Sequence, residues 1–166
     1  MADRVRGKVA IVTGAGSIGP GWGNGKAAAT LYAREGATVL AVDRNLAAAE
    51  ETREIICGEG GECLACEADV SNSGDVESLV AKCLSEFGRI DILHNNVGVP
   101  VVGGPEEIDE ETWDQQFAVN VKSMYLTSKY CLPQMVKQGN GAIVNISSIG
   151  SIRYFGYPCA SYAATK

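Results

Sequence analysis

The sequence predicts an α/β protein built on a doubly wound parallel sheet, three layers deep, with helices on both faces. Two observations carry this. Short apolar runs bounded by turn residues alternate strictly with longer helix-favouring stretches along all 166 residues, the pattern of parallel strands joined by crossover helices. Several of the runs are apolar at nearly every position, as strands buried on both faces require. Right-handed crossovers then give five strands the order 3-2-1-4-5.

The elements follow in order. KVAIVT (8–13) is the first strand and ATVLAVD (37–43) the second. Between them, residues 25–35 place Ala28, Leu31 and Tyr32 at helical spacing. The Ala- and Glu-rich stretch 46–57 favours helix, and residues 62–68 read as the third strand. Ser73 is a candidate cap for a helix whose stripe of Val76, Leu79, Val80, Cys83, Leu84 and Phe87 is the clearest amphipathic face in the chain. Residues 90–94 form the fourth strand, with a Gly/Pro-rich loop after it. Asp109 is placed to cap a long helix reaching to about Val136, with a disturbance expected near Pro133. GAIVNIS (141–147) is the fifth strand.

Composition bounds the rest. A length of 166 residues suits one domain, here 1–166, with one core. A hydrophobic content of 46% excludes a mainly disordered chain. A net charge of -6 without any Lys/Arg run argues against a nucleic-acid binder. No apolar stretch approaches the roughly 20 residues that span a bilayer, and MADRVRGKVA does not read as a signal peptide. A cytoplasmic location with reduced thiols is the expectation. Cys63 and Cys66 form a CxxC, but no second ligand pair follows and ECLACEAD alternates like a strand, so both are expected to be strand cysteines. His94, the single histidine, and Trp113 are expected to be structural. Trp22 is expected to be a packing residue, although its loop would let it touch a pyrophosphate.

The first strand runs into a glycine-rich turn, Thr13-Gly14 through Gly23-Asn24-Gly25, and a helix begins at Lys26. Glycines let backbone approach a pyrophosphate, and a helix N-terminus supplies free N–H groups and a positive dipole end. Asp43 ends the second strand eighteen residues beyond Gly25. An acid there bonds the adenosine ribose hydroxyls and repels a 2′-phosphate, which favours NAD over NADP. Arg44, beside it, would pair with that phosphate if turned inward.

The ordered set of motifs resembles the short-chain dehydrogenase/reductase family over the whole chain. Thr13-Gly14 and Gly23-x-Gly25 resemble its TGxxxGxG motif, with about five extra residues, roughly Ile18 to Trp22, as in the expanded loops of divergent members such as enoyl reductases. Asp69-Val70 resembles the adenine-contacting pair, and Asn95-Asn96-Val97-Gly98 the NNAG motif. Asn120 matches the catalytic asparagine and Ser148 the catalytic serine. Tyr162-Ala163-Ala164-Thr165-Lys166 matches YxxxK.

The resemblance implies a Rossmann-like fold, an NAD(P) cofactor, a small alcohol or carbonyl substrate and a homo-oligomeric full-length protein. Tyr162 would be the acid/base and Ser148 would bond the substrate oxygen. Lys166 would tune Tyr162 and bind the nicotinamide ribose, and Asn120 would hold a water linking Lys166 to solvent. The residue types suit this chemistry. Hydride transfer at a carbonyl carbon needs a matched proton transfer at its oxygen, and a nearby ammonium favours a phenolate. Family members usually continue past YxxxK, so the domain is expected to be truncated, with GAIVNIS left as an exposed edge and the isolated chain inactive or nearly so. The alternatives are a dinucleotide-binding module without catalysis, a gene fragment that folds poorly, and an enoyl reductase.

Overall fold

A computed structural model describes residues 3–166. Five parallel strands form one sheet in the order β3-β2-β1-β4-β5, as the alternation predicts. They are β1 (Val9–Thr13), β2 (Thr38–Asp43), β3 (Glu62–Glu67), β4 (Ile92–Asn95) and β5 (Ala142–Asn145). Side-chain alternation along each strand supplies both core faces. From β1 and β2, Val9, Ile11, Leu40 and Val42 turn to one face, where they join Leu93. Val12, Val39 and Ala41 turn to the other.

The first face is covered by α3 (Ser73–Phe87) and α5 (Ser123–Gln138), through Val76, Leu79, Cys83, Leu126, Cys131 and Met135. The second is covered by α1 (Asn24–Arg34) and α2 (Leu46–Gly58), through Ala29 and Ile56. Cys63 belongs to this second core and Cys66 to the first. Three residues apart on a strand they face opposite ways, so they are the strand cysteines the alternation suggests. Burial pushes the Cys63 thiol up to about 12.

Three local expectations change. The cap of α3 is Asn72, whose side chain accepts from the Gly74 and Asp75 N–H groups. Ser73 is already helical, and its hydroxyl pairs with Tyr130 Oη instead at 2.8 Å. Asp109 does cap its helix, accepting from Thr112 N. That helix is not continuous: α4 (Glu110–Phe117) passes through a π-helical turn, Ala118–Lys122, before α5 begins. The interruption falls there and not at Pro133, which lies inside α5. The π turn adds a residue to the helical circuit and brings Asn120 to the interior, where it is 0% exposed. β3 and β5 fall short of the sequence reading by a residue or two at an end, and β4 starts two residues later and ends one residue later than read.

β5 is the outer strand of the sheet, and three of its four residues are exposed, as expected for GAIVNIS. No helix among the described residues is long and apolar enough to cross a membrane.

At the N-terminal ends of the strands, Asp91 holds the sheet together. Its side chain accepts from Val9 N at 2.9 Å, receives two hydrogen bonds from Arg89 and pairs with Lys8. Burial alone would raise its pKa, but these donors outweigh burial and hold the carboxyl below its usual value. A carboxylate depressed on folding stabilises above the unfolded pKa, near 3.9, and that stabilisation is lost as pH falls through the folded value. Asp91→Asn is therefore expected to cost about 1–3 kcal/mol near neutral pH and to flatten the acid limb of the stability curve. Denaturant midpoints between pH 3 and 7 would check this, and unchanged midpoints would refute it.

Candidate active site

A cleft of about 980 Å³ opens at the C-terminal ends of the strands, where β1 and β4 diverge in connectivity and open α/β sheets bind their ligands. One wall is the glycine loop. Gly14 lies at φ +62° in the turn after β1, and its carbonyl accepts from Asn96 Nδ2 at 3.1 Å. Gly25 lies so close to this turn that a Cβ there would fall on the Gly14 carbonyl oxygen. Thr13 lies behind the wall, its hydroxyl between His94 O and Asn96 N. The N-cap position of α1, Gly23, makes no side-chain capping bond, whereas α2, α3 and α4 are capped by Asn45, Asn72 and Asp109. Gly23, Asn24 and Gly25 line the cleft, so the free amides of this N-terminus are placed to accept an anionic group.

The second wall is set by the ends of β2 and β3. Asp43 Oδ2 accepts from Gly16 N at 2.9 Å and Oδ1 from Asn45 N at 3.0 Å. These bonds fix the carboxylate at the cleft surface beside Arg44. Gly16 has no space for a side chain: a Cβ would lie 2.9 Å from that carboxylate and 2.5 Å from Ala48 Cβ. Asp69 holds its own turn by accepting from Ser71 N and Oγ. Val70 is buried in the core beside it and also borders the cleft.

The far end collects Ser148, Tyr162 and Lys166. Ser148 follows β5 and accepts from Gly150 N at 3.1 Å. Tyr162 lies on α6 (Ala160–Thr165), and Lys166 follows one turn later. The Lys166 ammonium donates to Val97 O at 3.1 Å and Ile146 O at 3.0 Å, bridging the chain beyond β4 and β5. Its stem passes over Gly98, where a Cβ would lie 2.5 Å from Lys166 Cε. Burial pushes the Lys166 pKa below the usual lysine value.

Asn120 stands behind this end. Its Oδ1 accepts from Val99 N at 2.9 Å, and its Nδ2 donates to Thr165 Oγ1 at 2.9 Å and to Val99 O at 3.2 Å. It thus ties the π turn to both the loop after β4 and α6. The NNAG-like segment works similarly: Asn95 donates to Asn145 Oδ1 and accepts from Thr127 Oγ1, joining β4, β5 and α5.

Gly14, Gly23, Gly25, Asp43, Asp69, Val70, Asn96, Gly98, Ser148, Tyr162 and Lys166 all line the cleft. Thr13 and Asn120 lie one layer behind it. Sequence reasoning missed Gly16, whose amide fixes Asp43, and the Thr127 and Thr165 hydroxyls. Gly16 sits inside the glycine turn and was open to detection, but a lone threonine on a helix gives no signal. His94 is structural as expected: it is buried against Tyr32, whose Oη lies 3.1 Å from Nδ1, and burial lowers its pKa. Trp113 packs against Phe117 at 5.1 Å between ring centroids. Trp22 instead borders the cleft and stays 60% exposed.

The order 3-2-1-4-5, with the glycine turn after β1 and Ser148, Tyr162 and Lys166 in one cleft, defines a doubly wound α/β fold with its cleft at the strand ends. The model of the short chain dehydrogenase family matches residues 8–166, and the chain belongs to that family. An uncharacterized oxidoreductase of Thermotoga maritima is 46% identical over 86% of this chain and 54% of its own length. A 2,5-dichloro-2,5-cyclohexadiene-1,4-diol dehydrogenase, LinX, of Sphingobium indicum is 39% identical over 100% of this chain and 64% of its own. The crystal structure of a Burkholderia xenovorans protein assigned to the short-chain dehydrogenase/reductases superposes with a TM-score of 0.95 at 52% identity, over 98% of this chain and 64% of that one. The chain thus spans somewhat over half to just under two thirds of the length of these relatives.

Proposed function

We propose that this chain provides the NAD(H) site and the acid/base residues of an oxidoreductase interconverting a secondary alcohol and a carbonyl. The observation that carries the reading is one cleft holding both the uncapped N-terminus of α1 with Asp43 and the group Ser148, Tyr162 and Lys166. The residues suit a dinucleotide along the whole cleft. The α1 amides would take the pyrophosphate and Asp43 the adenosine ribose diol. Asp69 and Val70 would border the adenine. Lys166, with Asn96 and Gly98 nearby, would meet the nicotinamide ribose. When bound, the nicotinamide supplies or accepts the hydride.

Tyr162 then moves the proton at the substrate oxygen, and Ser148 donates a hydrogen bond to the same oxygen. Asn120 acts from behind by holding α6 and the Val99 backbone in register, and in this role it would also anchor a water leading from Lys166. The cleft that Tyr162 and Ser148 line is also lined by Val99, Ala118 and Val119, which suits a substrate with apolar carbon. The diol dehydrogenase relative makes cyclic secondary alcohols the first class to assay.

We further propose that residues 1–166 form a single dinucleotide-binding domain that acts within a homo-oligomer in the cytoplasm. The second reading, a non-catalytic dinucleotide-binding module, draws on the uncapped N-terminus of α1, Asp43 and Asp69 alone.

Calorimetric titration with NADH and NADPH tests the proposal. NADH is expected to bind more tightly, and Asp43→Asn is expected to reduce the preference by about tenfold, or about 1.4 kcal/mol, because it removes the charge that repels a 2′-phosphate. An unchanged preference in Asp43→Asn would remove Asp43 as the selector. Failure of both nucleotides to bind would overturn the whole reading.

A further inference from the structure

Lys26 is the largest fully buried side chain, 1% exposed, and nothing in the proposed chemistry uses it. Its ammonium donates to Gly21 O at 3.2 Å and pairs at 2.9 Å with Glu51 Oε1 on α2. Gly21 belongs to the five extra residues of the glycine loop. Inside that loop Ser17 Oγ donates to Gly21 O and accepts from Gly23 N. Among the described residues, the Lys26 bond is the one hydrogen bond that leaves residues 17–22 for a residue beyond Gly23. Apolar anchoring is also weak, since Ile18 is 99% and Trp22 60% exposed.

We propose that Lys26 is a positioning residue, tethering loop 17–23 to α1 and α2 so that the loop stands as a fixed wall of the cleft. The effect on cofactor affinity rests on the dinucleotide reading above. A buried ammonium costs desolvation that an apolar side chain of the same length avoids, so its use here answers a need for a donor. Gly21, at φ +104°, presents its carbonyl from a backbone conformation that other residues rarely adopt. One cation therefore closes a circuit through the loop, α1 and α2. A loop held before the ligand arrives loses less conformational freedom when the ligand binds.

The test is hydrogen exchange of the intact chain with Lys26→Met, which fills similar space without a donor. Exchange across residues 17–23, the Gly23 amide above all, is expected to speed up while β1 and β2 stay protected. NADH is expected to bind about tenfold more weakly. Glu51→Gln changes only the half-exposed partner and leaves the interior intact, and it is expected to speed exchange in the same segment. Unchanged loop exchange in either folded variant would overturn the tether, whatever the affinity. A parent that binds no NADH, while Lys26→Met still frees its loop, would sink the dinucleotide reading and leave the tether standing.

Discussion

Tyr162→Phe is expected to cut turnover by about 10²–10⁴-fold while leaving NADH affinity within a few-fold of the parent, measured with any secondary alcohol that the parent oxidises. The substitution removes one hydroxyl and keeps the ring. On the proposed mechanism it takes away the group that exchanges a proton with the substrate oxygen; Tyr162 lines the same cleft as Ser148. The proposed dinucleotide site draws on other groups: the glycine turn, Asp43 and the Lys166 ammonium. Lys166 is held by Val97 O and Ile146 O and not by Tyr162, so it should stay in place. Binding and catalysis therefore separate at this position. Turnover within a few-fold of the parent would remove Tyr162 from the acid/base role. A parallel loss of NADH binding would mean that Tyr162 supports the cleft structurally.

The strand order and both core faces were legible because parallel strands buried on two sides carry long apolar runs, and β1 and β2 do so without interruption. The cleft was legible for a different reason. Its residues sit at strand ends and near helix starts, where a few residue types in fixed order mark them in the sequence. What stayed hidden depends on contacts distant in the chain. The π turn at 118–122 leaves no mark in the apolar spacing of residues 110–136, and it shows only when Asn120 is seen bonded to Val99 and Thr165. Asn72 and Ser73 are both good caps, and only the backbone decides between them. Lys26 reads as an ordinary surface lysine in the first turn of a helix, because its acceptor, Gly21 O, lies in an insertion whose path is not set by periodicity.

Gly25→Ala is expected to lower stability by about 1–3 kcal/mol and to weaken NADH binding by more than about tenfold, against the usual trend for a helical glycine. Exchanging glycine for alanine inside a helix ordinarily stabilises by up to about 1 kcal/mol. Gly58, in the last turn of α2, where an added Cβ would meet nothing within 4 Å, should follow that trend and serves as the control. At Gly25 the added carbon would fall on the Gly14 carbonyl and lie 2.7 Å from Asn96 Nδ2. Neither neighbour is the free end of a long side chain. Gly14 is backbone in the turn after β1, and Asn96 is fixed to it by a hydrogen bond. Relief requires α1 to withdraw from β1, which carries its unclaimed N–H groups away from the proposed pyrophosphate position. Stability and binding should therefore fall together at Gly25, while Gly58→Ala raises or preserves the melting temperature and leaves affinity alone. If Gly25→Ala instead matched Gly58→Ala in both measurements, the close approach of α1 to the Gly14 turn would not be what forms the anion site.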